Sequence, residues 1–328
     1  MDELDSGGLI FLKKALVIGG AGFVGASLVR RLASANDCEI TVVDKFIFGN
    51  GLAGITLQNV HVVEGDASDS LFLADVLQRG GFDVVYHLAA NSDIRASVNN
   101  PSIDVVNTFG TTFALALALS ESEVRVPILV FSSTSAIFGN HSEPIHAKSV
   151  KKPESAYGWM KLASEHALAQ LSQTALIGSL RIIRFPNVTG AGQTHGVVKD
   201  LCAKANAASE ELPVLGDGRQ SKPYVHVDEL VEAIIRFASE SYSGSLEVNF
   251  APSDQIRVSE IAELVVSASG RSLRLQFQDK ASGWPGDVAN YSYDLQNLPE
   301  QLSSALTLSS REAVAKSVAE EFAKLNAS

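Results

Sequence analysis

Between residues 14 and 45 an apolar segment, Ala15-Leu16-Val17-Ile18, runs into Gly19-Gly20-Ala21-Gly22-Phe23-Val24-Gly25 and then into apolar residues at Phe23, Val24, Leu28, Val29 and Leu32. The first segment reads as a strand buried on both faces. The spacing that follows predicts a helix over Phe23–Ala35. Glycines at 19, 22 and 25 let the turn between them take positive φ and let the backbone approach a pyrophosphate closely. The helix N-terminus adds free N–H groups and partial positive charge. A second strand, Ile40-Thr41-Val42-Val43, ends at Asp44, 19 positions past Gly25, where a carboxylate reaches a ribose diol. This order predicts a dinucleotide site built on Gly19, Gly22, Phe23, Val24, Gly25 and Asp44. Asp44 accepts from a free 2′-hydroxyl and repels a 2′-phosphate, which favours NAD over NADP; Lys45 beside it softens the preference.

The rhythm continues. Val60-His61-Val62-Val63, Val84-Val85-Tyr86-His87-Leu88, Ile128-Leu129-Val130-Phe131 and Leu180-Arg181-Ile182-Ile183 read as further strands. Helices are expected over Asp69–Arg79, Ile103–Glu121 and Ser155–Leu176. Strands alternating with helices of this length make a parallel sheet with right-handed crossovers, an α/β fold of the doubly wound Rossmann type. Residues 1–12 read as an extension and 13–185 as the nucleotide-binding domain. Beyond it, Gly190, Gly192, Gly196, Pro213, Gly216, Gly218 and Pro223 punctuate shorter elements. Residues 186–328 are therefore expected to form mainly a smaller substrate-binding α/β domain, with 220–250 crossing partly back. Asp66, after the third strand, is placed to accept from an adenine amino group, with helix capping as its other reading. The small residues Ala67, Ala89 and Ala90, with Leu88, allow close approach of the cofactor.

Composition excludes several classes. Apolar residues make up 46% and charged residues 19%, enough for a large core. With 26 Lys+Arg against 37 Asp+Glu the net charge is −11, the wrong sign for a nucleic-acid binder. Cys38 and Cys202 lie too far apart in sequence for a disulfide scaffold or a thiolate metal centre, and no metal is expected. The best apolar run, Phe113–Leu119, is seven residues, short of the ~18 that span a bilayer. Met1-Asp2-Glu3-Leu4-Asp5 is acidic where a secretory leader is basic. A cytoplasmic chain without membrane partners is the expectation.

Tyr157-Gly158-Trp159-Met160-Lys161 sets a phenol and an ammonium one helical turn apart, and Phe131-Ser132-Ser133-Thr134 ends a strand in hydroxyls. With these in the order glycine loop, Asp44, hydroxyl cluster, Tyr-x-x-x-Lys, the chain resembles the extended short-chain dehydrogenase/reductase superfamily and, within it, the nucleotide-sugar epimerases of the UDP-glucose 4-epimerase kind. The resemblance extends over residues 14–300. It includes His87-Leu88-Ala89-Ala90-Asn91, Arg184-Phe185-Pro186-Asn187-Val188, Gly216-Asp217-Gly218-Arg219-Gln220, Tyr224-Val225-His226-Val227-Asp228 and Pro285-Gly286-Asp287. It implies Thr134, Tyr157 and Lys161 as catalytic residues and NAD as cofactor. Asn107, Ser132 and Pro186 join the implied cofactor wall, and Arg95, Thr134, Asn187, Arg219, Lys222 and Trp284 the substrate site. It also implies a nucleotide-diphosphate sugar as substrate, UDP-linked in the first instance, and a homodimer through the helices near Ile103–Glu121 and Ser155–Leu176.

The residues around Tyr157 narrow the chemistry. Sugar 4,6-dehydratases of this superfamily carry an Asp-Glu pair after the catalytic threonine; here the positions are Ser135 and Ala136. Elimination would lack its acid and its base. Redox at one hydroxyl carbon remains, as in a 4-epimerase, with a 4-ketosugar reductase as the alternative and a non-catalytic NAD-binding protein behind both. Lys222 and Trp284 stand where many relatives have arginine. Lys222 keeps the charge without the bidentate fork, and Trp284 keeps only a stacking surface. His195, in Gln193-Thr194-His195-Gly196-Val197, reads as a loop histidine touching substrate or backbone.

Overall fold

A computed structural model describes residues 10, 12–55, 57–242, 244–279, 288 and 290–327. The first half alternates as expected: β1 Lys14–Ile18, α1 Phe23–Ala35, β2 Glu39–Asp44, β3 Val60–Glu64, α2 Ser70–Gly80 and β4 Val84–His87. Three helical pieces follow, α3 Ile94–Asn99, α4 Ser102–Asp104 and, after a π turn at Val105–Phe109, α5 Gly110–Ser122. Then come β5 Val126–Thr134, α6 Ala156–Leu171 and β6 Ile177–Phe185. Shorter elements make up the rest: β7 Asn187–Thr189, α7 Val197–Ala207, β8 Glu211–Val214, β9 Ser221–Lys222, β10 Tyr224–His226, α8 Val227–Ser239 and β11 Leu246–Asn249. The chain ends with β12 Ile256–Arg257, α9 Val258–Ser269, β13 Arg274–Phe277, α10 Glu300–Ser303 and α11 Ser310–Ala327.

The main sheet has seven parallel strands in the order β11-β6-β5-β4-β1-β2-β3. The order reverses between β1 and β4, which opens a crevice at the carboxyl ends of these strands. Alternation along each strand divides the core. Val17, Val42, Tyr86, Val130 and Ile183 face α1 and α8, while Leu16, Ile18, Val85, Leu129, Phe131 and Ile182 face α2 and α5. Residues 15–18 of β1 are fully buried. α8 packs on α1, and β11 closes the sheet beside β6, so residues 227–249 lie with the first half of the chain. A smaller layer holds α7, α9 and α11 with the parallel pair β8–β13, around Leu201, Cys202, Val214, Ile261, Val265 and Val318.

Three expectations are corrected. The long helix after Ser155 stops at Leu171, because Ser172–Thr174 tightens into a 3₁₀ turn and Ala175 takes φ 63°. The stretch Ser102–Ser122 is one helical run of 21 residues, long and apolar enough by length and composition to cross a membrane. Here it packs within the fold, with Leu115, Ala118 and Leu119 in the core between sheet and α2. The run also contains the π turn, which widens the helix by one residue and re-aims the side chains that follow.

Behind the crevice lies a buried ion network. Arg184, 0% exposed, bonds both carboxylate oxygens of Glu165 at 2.7 Å and also reaches Glu247. Lys151 lies 3.4 Å from both acids, and the Ser133 hydroxyl donates to Glu165 at 2.5 Å. Removing the arginine leaves Glu165 buried without its bidentate partner. Arg184→Met is expected to lower unfolding stability by about 3–5 kcal/mol, the usual cost of an orphaned buried charge. A urea midpoint unchanged from wild type would contradict this.

Candidate active site

The crevice is a cavity of about 970 Å³ lined from both layers. Its floor begins at the glycine turn. Gly19 has φ +83°, and a Cβ there would lie 2.6 Å from the Ala89 nitrogen. A Cβ on Gly25 would lie 2.1 Å from the Gly19 carbonyl oxygen, so α1 can approach β1 this closely only without one. Gly22 differs. It precedes the first helical residue with an ordinary φ of −69°, and a Cβ there would meet nothing nearer than the Gly19 oxygen at 3.5 Å. The protein itself does not require glycine at 22, whereas a ligand seated on the helix N-terminus would.

Asp44, at the end of β2, also lines the cavity. Its carboxylate accepts from the Ala21 N–H at 2.9 Å and the Phe46 N–H at 2.8 Å, which fixes its position against the turn. Lys45, which also lines the cavity, donates to Asp66 at 3.0 Å and to Asn107 at 2.9 Å, so part of its charge is taken up within the protein. Ala67, Leu88, Ala89, Ala90, Asn107, Ser132 and Pro186 all line the same cavity, as do Phe23 and Val24. Asp66 does not. One of its oxygens takes the Ser68 N–H and hydroxyl and the other takes Lys45, which hold it below the usual carboxylate range although burial pulls the other way. Its neighbours Gly65 and Ala67 face the cavity instead.

Farther along, Thr134 ends β5, and Tyr157 and Lys161 stand on the first turns of α6, whose N-cap Ser155 accepts from the Gly158 N–H at 3.1 Å. All three line the cavity. Lys161 is 2% exposed, donates to the Ser132 carbonyl at 2.7 Å and lies 4.7 Å from the centre of the Phe131 ring. Burial pulls its pKa down to about 7, against the opposing pull of Glu165 and Asp104. Burial pushes the Tyr157 phenol above its ordinary value and the charge of Asp104 adds to this, while hydrogen bonding with Thr134 works the other way. His87, beneath them, is neutral: burial and the charge of Lys161 take it down to about 3, and Nε2 pairs with the Thr112 hydroxyl at 2.9 Å.

Of the expected substrate residues, Arg95, Thr134, Asn187 and Lys222 line the cavity. Arg95 shares its charge with Asp200 at 3.3 Å. Arg219 is a correction: its side chain is 89% exposed beside Asp217 and lies outside the cavity lining. Gly218 takes φ +76° and the Arg219 N–H bonds the Asp217 carboxylate at 2.9 Å, a turn that leaves the Arg219 side chain outward, while Gln220 and Lys222 line the cavity. Trp284 falls outside the described residues, as does Pro285-Gly286-Asp287. His195 lines the cavity with Nε2 2.7 Å from the Ser92 carbonyl. Cys38 and Cys202 are buried and unpaired, their thiols pushed up to about 11 and about 12 chiefly by burial.

Two supports were not among the expected site residues. Glu320 of α11 accepts the Ala191 N–H at 2.8 Å and faces His226 at 3.3 Å, fastening the loop that carries Gln193, Thr194 and His195 into the cavity. Glu165 lies one helical turn past Lys161, a spacing that could have been read from Tyr157-x-x-x-Lys161-x-x-x-Glu165.

These residues fit a dinucleotide: a turn that only glycine can form, one glycine held open toward the cavity, a placed carboxylate and alanine-lined walls. Gly25→Ala is expected to destabilise the fold by about 1–3 kcal/mol through overpacking. Gly22→Ala should melt as wild type yet bind NAD at least about tenfold more weakly, or ~1.4 kcal/mol. Calorimetric titration showing wild-type NAD affinity in Gly22→Ala would refute the assignment of that glycine.

Comparison with known proteins agrees with this geometry. Residues 15–249 match the model of the NAD dependent epimerase/dehydratase family. An uncharacterized UDP-glucose epimerase of Bacillus subtilis is 27% identical over 84% of this chain and 88% of its own length. A UDP-glucose 4-epimerase of Streptomyces lividans is 30% identical over 79% and 82%. The crystal structure of a UDP-galactose 4-epimerase superposes with a TM-score of 0.82 at 27% identity, covering 95% of this chain and 99% of that one. The chain belongs to the NAD dependent epimerase/dehydratase family, as an extended short-chain dehydrogenase/reductase whose cofactor is NAD.

Proposed function

We propose that this enzyme inverts one hydroxyl carbon, C4, of a UDP-linked sugar, with Tyr157 as the acid/base. The observation that carries the reading is the phenol of Tyr157 at the sheet edge, with no acid–base pair beside Thr134. Thr134, Tyr157 and Lys161 line one wall, and Ser135 and Ala136 hold the positions where elimination would need an acid and a base. Glu154, the nearest cavity carboxylate in sequence, is engaged by the Asn140 N–H at 3.2 Å and its amide at 2.6 Å. NAD, when bound, supplies hydride acceptance and return. Tyr157 takes the proton of the sugar hydroxyl as hydride leaves that carbon and gives it back when hydride returns to the other face. Thr134 hydrogen-bonds the same hydroxyl, and Lys161 favours the phenolate by its charge. Lys222 and Arg95, with Asn187, are the groups for the diphosphate. The names of the relatives above support UDP as the nucleotide carrier.

A 4-ketosugar reductase would use the same residues but exchange its cofactor at every turnover. Asp44, and a Lys45 tied to Asp66 and Asn107, disfavour the NADPH usual for reductases.

We infer a homodimer as well. Val105, Val106 and Phe113 on the Ser102–Ser122 run are about half exposed, as is Trp159 on α6, and α5 packs beside α6. These apolar side chains make one patch of the kind that marks an interface.

Tyr157→Phe should lower kcat about 10²–10⁴-fold on UDP-sugars while NAD binding persists. Wild-type turnover in that variant would sink the mechanism, and stoichiometric consumption of NAD(P)H by the native enzyme would sink epimerisation. Phe113→Asp is expected to give monomers by sedimentation equilibrium; an unchanged mass would rule out this interface.

A further inference from the structure

Residues 190–196 cross the crevice as a strap between β7 and α7. Both ends turn on glycine, with φ +143° at Gly190 and +116° at Gly196. At Gly192 the strap runs beside the start of α1, where an added Cβ would meet only the Phe23 ring, at 3.8 Å. Three residues on, His195 faces the opposite lip. Its Nε2 lies 2.7 Å from the Ser92 carbonyl, and because a carbonyl only accepts, Nε2 carries the proton and donates. The Thr194 hydroxyl, 2.9 Å from Nδ1, holds the ring in that orientation. Phe23 follows β1 and Ser92 follows β4, so the strap touches both lips of the crevice where the strand order reverses.

The strap is also fastened from the second layer. Glu320 of α11 accepts the Ala191 N–H at 2.8 Å and is faced by His226 Nε2 at 3.3 Å, from the N-cap of α8. Thr189, just before the strap, pairs with Ser317 of α11 at 2.6 Å. Lys199, in the first turn of α7, donates to the Gln193 carbonyl at 2.9 Å. Arg95 and Asp200 join α3 to α7 at 3.3 Å, but an ion pair this exposed adds little.

We propose that the strap bolts the dinucleotide into the crevice, with Glu320 as its anchor and His195 as its latch, so that NAD is a resident and not an exchanging cofactor. A dinucleotide on a doubly wound sheet lies across the switch point, which is the interval the strap spans. For NAD to leave, the strap must lift, and lifting breaks the bond to Ser92 or the bond to Ala191. Both bonds lie within the protein and add no contact to the cofactor. Like other closing loops they act on the rate of departure. Glu320 and His195 are therefore positioning residues, acting on NAD through the strap. The proposal rests on NAD as cofactor and not on the identity of the sugar. It also suits epimerisation, in which the NAD that takes the hydride must stay to return it.

Retention is measured without turnover. Protein saturated with NAD is freed of unbound nucleotide by gel filtration, and the NAD still bound is followed with time by chromatography of the protein fraction. Glu320→Ala and His195→Ala are each expected to release NAD at least about tenfold faster than wild type. Glu320→Gln keeps an oxygen for the Ala191 N–H and should retain NAD as wild type does. The double variant Glu320→Ala/His195→Ala should release NAD no faster than the quicker single variant, because a strap freed at one end is already open. Wild-type retention in either alanine variant overturns the proposal. A multiplied effect in the double variant overturns it too, since the two contacts would then act independently. Equal loss in Glu320→Gln and Glu320→Ala would assign the effect to charge or folding and likewise overturn it. Absence of epimerisation by the native enzyme, with these release rates intact, would refute the substrate reading and leave the strap standing.

Discussion

Everything at the site depends on how closely three backbones meet where β1 and β4 diverge. Gly19 stands against Ala89 with no room for a Cβ, and Gly25 brings α1 against the Gly19 carbonyl. That approach directs the N-terminus of α1 at the crevice and seats Asp44, through the Ala21 N–H, beside it. Once the turn is fixed, the parallel register carries its geometry across the sheet. Ile18 pairs with His87, and His87 with Phe131, so β1 and β4 end level and β5 runs three residues beyond them to Thr134. Glycine loop, alanine wall and hydroxyl cluster therefore share one edge, although their residues are spread over more than a hundred positions of sequence.

A second constraint is electrostatic. Lys161 is a cation placed where solvent cannot support it, held by one carbonyl and one aromatic face, with the buried Glu165 one helical turn along. Glu165 serves a double purpose: it faces Lys161 and also anchors Arg184, which fastens β6 to α6. The Ser133 hydroxyl bonds the same acid, one residue before Thr134. The catalytic threonine and lysine are thus referenced to one buried group. A substitution in that network would disturb stability and geometry together.

Much of this was legible beforehand where local period and chemistry agree. α1 spans the residues its apolar stripe predicts, and the strand segments match observed strands, Leu88 overrunning β4 by one residue, because the central parallel strands leave a continuous apolar signature. The misses have specific causes. Nothing in the spacing of Val105–Phe109 announces a π turn, so neither the aim of Asn107 nor the burial of Asp104 could be read. Arg219 was assigned by motif, and it sits in a turn beside Gly218 and Asp217 that leaves its side chain outward. Glu320 acts from the last helix on a loop 129 residues earlier, a pairing that only the tertiary fold creates.

The charge balance takes on a sharper meaning in this light. A chain of net charge −11 lines its cofactor crevice with cations already engaged within the protein rather than with a spread positive field. Lys161 is buried and turned toward Ser132, Lys45 is bound to Asp66, and Arg95 is shared with Asp200. Each is neutralised in part before a ligand arrives, which limits the attraction of polyanions in general. The remaining affinity for a pyrophosphate comes from backbone N–H groups at one helix end, whose reach is a single turn and whose shape admits one kind of ligand.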